Sequence, residues 1–182
     1  VRTERYGPAR LPPDVQEARL ARGQSARPRV AVVTRSLALD LELPLFREAT
    51  DEDRPIVITT TAGMDRVRST GGSTATQDLA MVAEIVVAGA ESVDWGAALL
   101  ALRATARAGV VLVEGGPNTI GQLVAADLLD ELCLTVSPQV AGAGGLRIVG
   151  VGLEAPRHLA LDRVLLEDDY LFLRYLRVRP GT

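Results

Sequence analysis

A chain of 182 residues with 47% apolar content and a net charge of −3 is the size of one core-forming domain. It has no basic excess to draw it to nucleic acid or an anionic membrane, no apolar run of the roughly 20 residues that span a bilayer, and no apolar centre in Val1-Arg2-Thr3-Glu4-Arg5 to make a signal peptide; a cytoplasmic location is expected. Cys133 is the one cysteine, His158 the one histidine, and all 20 basic residues are arginine, which excludes intrachain disulfides, multi-cysteine zinc sites, lysine Schiff bases and the P-loop lysine.

Residues 1–28 carry Gly7-Pro8, Pro12-Pro13 and Pro28 and read as an irregular opening segment with one short helix near Asp14–Ala21. Three short, nearly continuous apolar runs follow, at Arg29–Thr34, Pro55–Thr60 and Glu84–Ala88. They fit parallel strands covered on both faces. Asp94 is placed to cap a helix over 95–108 that Gly109 would end, and Trp95 to staple its start. Val110–Val113 reads as a fourth strand. A helix over Asn118–Leu128 follows, with Thr119 and Gln122 at capping-box spacing. Glu131–Val136 alternates and reads as a strand; Cys133 fits a packed position in the core or at an interface. Asp130-Glu131 fits a solvated turn and His158 a structural position. Residues 157–167 and 169–178 fit an antiparallel hairpin turning at Glu167-Asp168-Asp169. The order of elements predicts an α/β fold: a mixed, mostly parallel sheet flanked by helices, with an antiparallel ending.

Chemistry concentrates at Val111-Leu-Val-Glu-Gly-Gly-Pro-Asn118. Gly115 and Gly116 let backbone amides approach a phosphate with no Cβ in the way. Pro117 fixes φ for helix entry, and the helix start at Asn118–Ile120 offers free amides and a positive dipole end. Glu114 stands one residue before this turn. An ordinary tight strand-to-helix connection with a solvated glutamate fits the same residues. Gly116-x4-Gly121-Gln122 is no Walker loop, because Gln122 occupies the lysine position. Gly142-Ala143-Gly144-Gly145 is no Rossmann fingerprint, because Arg147 takes the place of the third glycine; it is either a glycine-rich surface turn or a ligand-covering loop.

Val111–Thr119, Leu128-Leu-Asp-Glu-Leu-Cys-Leu-Thr-Val-Ser-Pro138 and Gly142–Gly145 together resemble the reductase domain of riboflavin biosynthesis. This is the C-terminal half of the bifunctional deaminase–reductase and also occurs as stand-alone pyrimidine reductases. The resemblance spans most of 1–182 and is most specific over 110–145. It implies a single reductase domain with a dihydrofolate-reductase-like three-layer fold. Val1–Pro8 looks like the tail of the family's glycine-threonine loop, so the chain as given is expected to lack that loop and the family's N-terminal strands and helix.

The resemblance also implies the chemistry: NADPH delivers hydride to the ribosylamino carbon of a phosphorylated aminopyrimidine. By motif, Gly115, Gly116, Pro117, Asn118, Thr119, Ile120, Gly121 and Gln122 would hold the cofactor pyrophosphate, with Glu4 and Ser36 as further cofactor contacts. Glu114 matches a substrate-contacting carboxylate and is the candidate catalytic residue; no metal is implied. Arg35 departs from an acidic residue often found there; it either reads the extra phosphate of NADPH or is a solvated loop arginine. Arg10 is the leading candidate for the substrate phosphate, with Arg2 and Arg5 competing. Leu159–Leu166 and Tyr170–Val178 are candidates for a homodimer interface. Two other readings stay open: a dihydrofolate or pterin reductase on the same fold, and a non-catalytic NADPH-binding or assembly subunit.

Overall fold

The computed structural model describes residues 6–142, 144–145, 147–150 and 152–178, with residues 71–75 as helix backbone. The chain forms two compact units, Val1–Gly109 and Val110–Thr182.

In the first unit, α1 (Pro13–Ala21) starts on a proline, whose missing N–H costs nothing at a helix start, and buries no residue. The three apolar runs become β1 (Ala31–Val33), β2 (Ile56–Thr59) and β3 (Glu84–Val87). They pair in parallel in the order β1-β2-β3, with Val57 opposite Val32 and Ile85. All four residues of β2 are buried, which is why it reads as a continuous apolar run rather than an alternating one. Alternation still decides which side each residue faces. Val57 belongs to a cluster with Leu45, Phe46 and Leu79, while Ile56 and Ile58 join Ala98 and Leu102.

Three helices supply those partners. α2 (Pro44–Arg47) contributes Leu45 and Phe46, and α3 (Thr61–Val82) contributes Leu79. Neither is evident in the sequence; α3 contains Gly71-Gly72 and many Ser and Thr residues, all weak helix formers, so tertiary packing decides its state. α4 (Trp95–Ala106) contributes Ala98 and Leu102, and Trp95 packs half-buried beside them. The Asp94 carboxylate accepts from the Ala97 amide at 3.0 Å, as its capping position predicts. The helix stops earlier than expected, at Arg107, which takes the left-handed conformation (φ 51°) in place of Gly109.

The second unit carries α5 (Pro117–Ala125), β4 (Glu131–Val136), β5 (Leu159–Glu167) and β6 (Tyr170–Arg177). The three strands are antiparallel in the order β4-β6-β5. Asp168 and Asp169 both have positive φ, 46° and 64°, the conformation of a two-residue hairpin turn whose twist suits the flanking strands. Register gives this sheet two unlike faces. One holds three apolar rows: Leu132–Tyr175–Leu161, Leu134–Leu173–Val164 and Val136–Leu171–Leu166. An irregularity between Leu161 and Arg163 keeps Leu161 and Val164 on the same side. The other face holds an ion-pair cluster in which Arg174 bonds Glu131 at 2.6 Å and Asp162 at 3.0 Å.

Two expectations fail here. Val110–Val113 is not a strand: among the described residues it joins neither sheet, and Val110 and Leu112 are 90% and 79% exposed. An apolar β-branched run has strand propensity, but a strand exists only where a neighbour takes up its N–H and C=O groups. Cys133 is not in the core: it is exposed in the single chain, because its parity puts it on the face of the ion-pair cluster, where its thiol donates to Glu131 at 3.3 Å. The solvated turn expected at Asp130-Glu131 is corrected in part: Glu131 opens β4 and its carboxylate bonds Arg174, while the Asp130 carbonyl accepts from the Arg177 amide at 2.9 Å. Among the described residues, no helix is long and apolar enough to cross a membrane, and no cluster of three His, Cys, Asp or Glu side chains could hold a metal ion.

Candidate functional site

The turn from Glu114 into α5 has the features that an anion site needs. Gly116 is the N-cap residue and makes no side-chain cap, so the expected Thr119–Gln122 capping box does not form. The Thr119 and Ile120 amides instead donate back to the Gly116 carbonyl at 3.0 and 3.2 Å. Pro117 has no N–H. The backbone donors left without an acceptor among the described residues at this helix start are those of Gly115, Gly116 and Asn118, one position earlier than the sequence suggests.

The two glycines are informative for what does not surround them. A Cβ added to either would meet no described residue within 4 Å, and neither has a positive φ. Both are exposed. Packing among the described residues does not call for glycine at either position; at 116 glycine also suits the N-cap of α5, and close approach of an outside group to the backbone would favour it at both. Glu114 and Asn118 are exposed beside them, while Gly121, Leu123 and Val124 are the buried side of α5. The apolar side anchors the helix and leaves its first turn open. A dinucleotide pyrophosphate fits this donor set: three amides, a helix dipole end and no side chain in the way.

Gly150 bounds this turn. Its amide donates to the Pro117 carbonyl at 2.9 Å. A Cβ there would come within 2.8 Å of Asn118 Oδ1 and 2.9 Å of Pro117 Cβ. Nothing in the sequence singles out Gly150, because its contact is with a residue 33 positions away.

In the first unit, the remaining residues stand at separate places. Ser36 follows β1 at the carboxyl end of the parallel sheet, where open α/β sheets bind ligands. Its hydroxyl accepts from the Ala38 amide at 3.4 Å. The neighbouring Arg35 carbonyl accepts from Arg66 of α3 at 3.2 Å. Thr60 caps α3 by accepting from Gly63 at 3.1 Å, and Gly63 has no room for a Cβ, which would lie 2.8 Å from the Arg35 carbonyl. This same end of the sheet buries the Thr59 hydroxyl with no hydrogen-bond partner among the described residues.

Arg10 has its side chain 86% exposed and lies 3.8 Å from Glu48. It lines a cleft of about 360 Å³ that also holds Arg27, Glu52 and Asp53, a mixture of charges rather than a purely basic pocket. Asp53 is the best-tied acid there. Burial pushes its carboxyl up, but the Thr50 hydroxyl and amide, at 2.7 and 2.6 Å, and the Arg27 guanidinium outweigh that and hold it below the usual carboxylate range. Glu4, Arg2 and Arg5 lie outside the described residues.

Comparison with known proteins gives one family and several structures. The family described as the RibD C-terminal domain matches residues 1–168. A pyrimidine reductase-like protein from Corynebacterium diphtheriae is 25% identical with a TM-score of 0.81, the alignment covering 98% of this chain and 72% of that one. RibD from Acinetobacter baumannii is 18% identical with a TM-score of 0.63; 85% of this chain aligns, spanning 39% of that protein, and this likeness bears on the fold alone. No functionally curated protein matches the chain significantly.

Proposed function

This chain belongs to the RibD C-terminal domain family, and from that premise we propose that it is an NADPH-dependent reductase of a phosphoribosylamino-pyrimidine, of the 5-amino-6-(5-phosphoribosylamino)uracil reductase type. The observation that carries the reading is the open, side-chain-free turn at Gly115-Gly116. Its amides have no backbone acceptor among the described residues at the start of α5, and a ligand approaching the backbone accounts for a glycine at 115 that packing does not require.

NADPH, when bound, supplies the hydride. The protein's part is to hold and orient. Gly115, Gly116 and Asn118 donate to the pyrophosphate, with Pro117, Thr119, Ile120, Gly121 and Gln122 shaping the turn. Ser36, and Glu4 in the opening segment, complete the cofactor contacts. Glu114 would bind the sugar hydroxyls or assist proton transfer to the ring oxygen that leaves the ribosylamino carbon as that carbon receives hydride. Arg10 takes the substrate phosphate; the nearby Glu48 competes for it, so Arg10 acts by exchanging one anion for another. A titration of the chain with NADPH, followed by turnover assays with the aminopyrimidine and with dihydrofolate, tests the reading. Turnover of the aminopyrimidine is expected. Turnover of dihydrofolate alone, or binding without turnover, would replace it.

The chain is further proposed to pair with a second copy through the apolar face of the β4-β6-β5 sheet. Leu161, Val164 and Leu166 are 54%, 48% and 70% exposed there, and a continuous apolar sheet face of this kind is the usual mark of an interface. Leu166→Asp should shift the sedimentation coefficient from dimer to monomer; a wild-type chain that sediments as a monomer at all concentrations would end the proposal.

A further inference from the structure

Building on the reading of the Gly115-Gly116 turn as a pyrophosphate site, we propose that the segment Arg147–Gly150 is its second wall, with Gly150 as the positioning residue that fastens the wall to α5 and Arg147 as the cation that meets the pyrophosphate. Glycine at 150 is required by its surroundings: the N–H bond to the Pro117 carbonyl brings its Cα so close that a Cβ would lie within 3.0 Å of Asn118 Oδ1 and Pro117 Cβ. Pro117 and Asn118 are the first residues of α5. The loop is thus fixed against the very turn whose amides stay open. Gly145 has no described residue within 4 Å of an added Cβ, in contrast to Gly150.

A pyrophosphate brings two negative charges, and amides alone leave them poorly balanced in a partly desolvated site. With no lysine in the chain, the cation must be an arginine. In the second unit Arg174 and Arg177 are engaged with Glu131, Asp162 and Asp127, while Arg157 and Arg163, which like Arg147 enter no hydrogen bond or ion pair among the described residues, lie 7 and 13 positions along the chain from Gly150. Arg147 enters no hydrogen bond or ion pair among the described residues. It lies three residues from the fastened Gly150, a tether of at most about 10 Å. This gives a role to the loop that begins at Gly142-Ala143-Gly144-Gly145, which has none as a nucleotide fingerprint.

The test measures NADPH affinity of the full chain and its variants by titration calorimetry at two salt concentrations, with thermal melting alongside. Arg147→Ala is expected to weaken NADPH about tenfold and to flatten the salt dependence, while leaving the affinity of reduced nicotinamide mononucleotide, which lacks the pyrophosphate, unchanged. Gly150→Ala should weaken NADPH about fivefold; Gly145→Ala and Arg157→Ala should match wild type. If Gly116→Val abolishes binding but Arg147→Ala stays within twofold of wild type, the wall is wrong and the turn stands. If Gly116→Val binds like wild type, the reading of the turn falls and the wall with it.

Discussion

The Arg174 guanidinium bonds the Glu131 carboxylate at 2.6 Å across neighbouring strands, and the same carboxylate accepts from the Cys133 thiol at 3.3 Å. The bond from Arg174, followed by that from Cys133, holds Glu131 below the ordinary glutamate range. The bond to Glu131 in turn pushes the Cys133 thiol up. One acid thereby keeps the chain's one thiol protonated and slow to react, though it is exposed. Glu131→Gln should raise the rate of Cys133 labelling by a disulfide reagent at pH 8 several-fold. An unchanged rate would mean that the thiol is governed by something other than its neighbour.

The same carboxylate predicts a pH effect. Its folded pKa lies below its unfolded one, so its contribution to stability is present above the usual value of 4.5 and is lost as pH falls through the depressed folded value. Wild type and Glu131→Gln should differ most in denaturant midpoint near neutral pH and converge in acid. Asp53 behaves in the same sense below 3.8. Asp53→Ala removes the acceptor for both Thr50 bonds and strands Arg27, at a cost of about 2 kcal/mol, measurable by urea unfolding of the full chain.

Glycine substitutions should separate structure from function. At Gly89, φ is +90° and an added Cβ would overlap the Ser92 carbonyl. At Gly63 it would sit 2.6 Å from the Thr59 hydroxyl and 2.8 Å from the Arg35 carbonyl. Either glycine to alanine should destabilise by ~1–3 kcal/mol, Gly89 more than Gly63. Gly115→Ala meets nothing among the described residues and should melt like wild type while losing dinucleotide affinity; Gly116→Ala should lose the same affinity and, as a poorer N-cap, up to ~1 kcal/mol of stability. A fall in melting temperature without a loss of affinity would mark these two as structural.

Glu114→Gln keeps the size of the side chain and removes its charge. Turnover should drop by about 10²-fold, with NADPH affinity within twofold of wild type. Near-normal turnover would remove Glu114 from the reaction. Asp94→Ala offers a control of known kind, because the lost bond to the Ala97 amide is an ordinary helix cap worth about 1 kcal/mol.

Local chemistry was enough to read much of this protein from its residues. Apolar runs bounded by prolines and glycines marked β1, β2 and β3, Asp94 marked the start of α4, and the paired acids after Glu167 marked the hairpin turn. The cap and the turn are set by interactions within a few residues, and the strands were legible from their continuous apolar runs although distant pairing completes them. The Glu114–Gln122 motif was legible for the same reason and led to the family. Partners distant in the chain decided the rest. α3 is helical because Leu79 packs beside Val57, despite a composition that favours other states. Val110–Val113 has the composition of a strand but pairs with no strand among the described residues. Cys133 is exposed because register against β6 sets it beside Arg174. Gly150 matters through Pro117, a contact that chain order hides. Propensity and capping act along the sequence, whereas hydrogen-bond partners and steric room are properties of the folded chain alone.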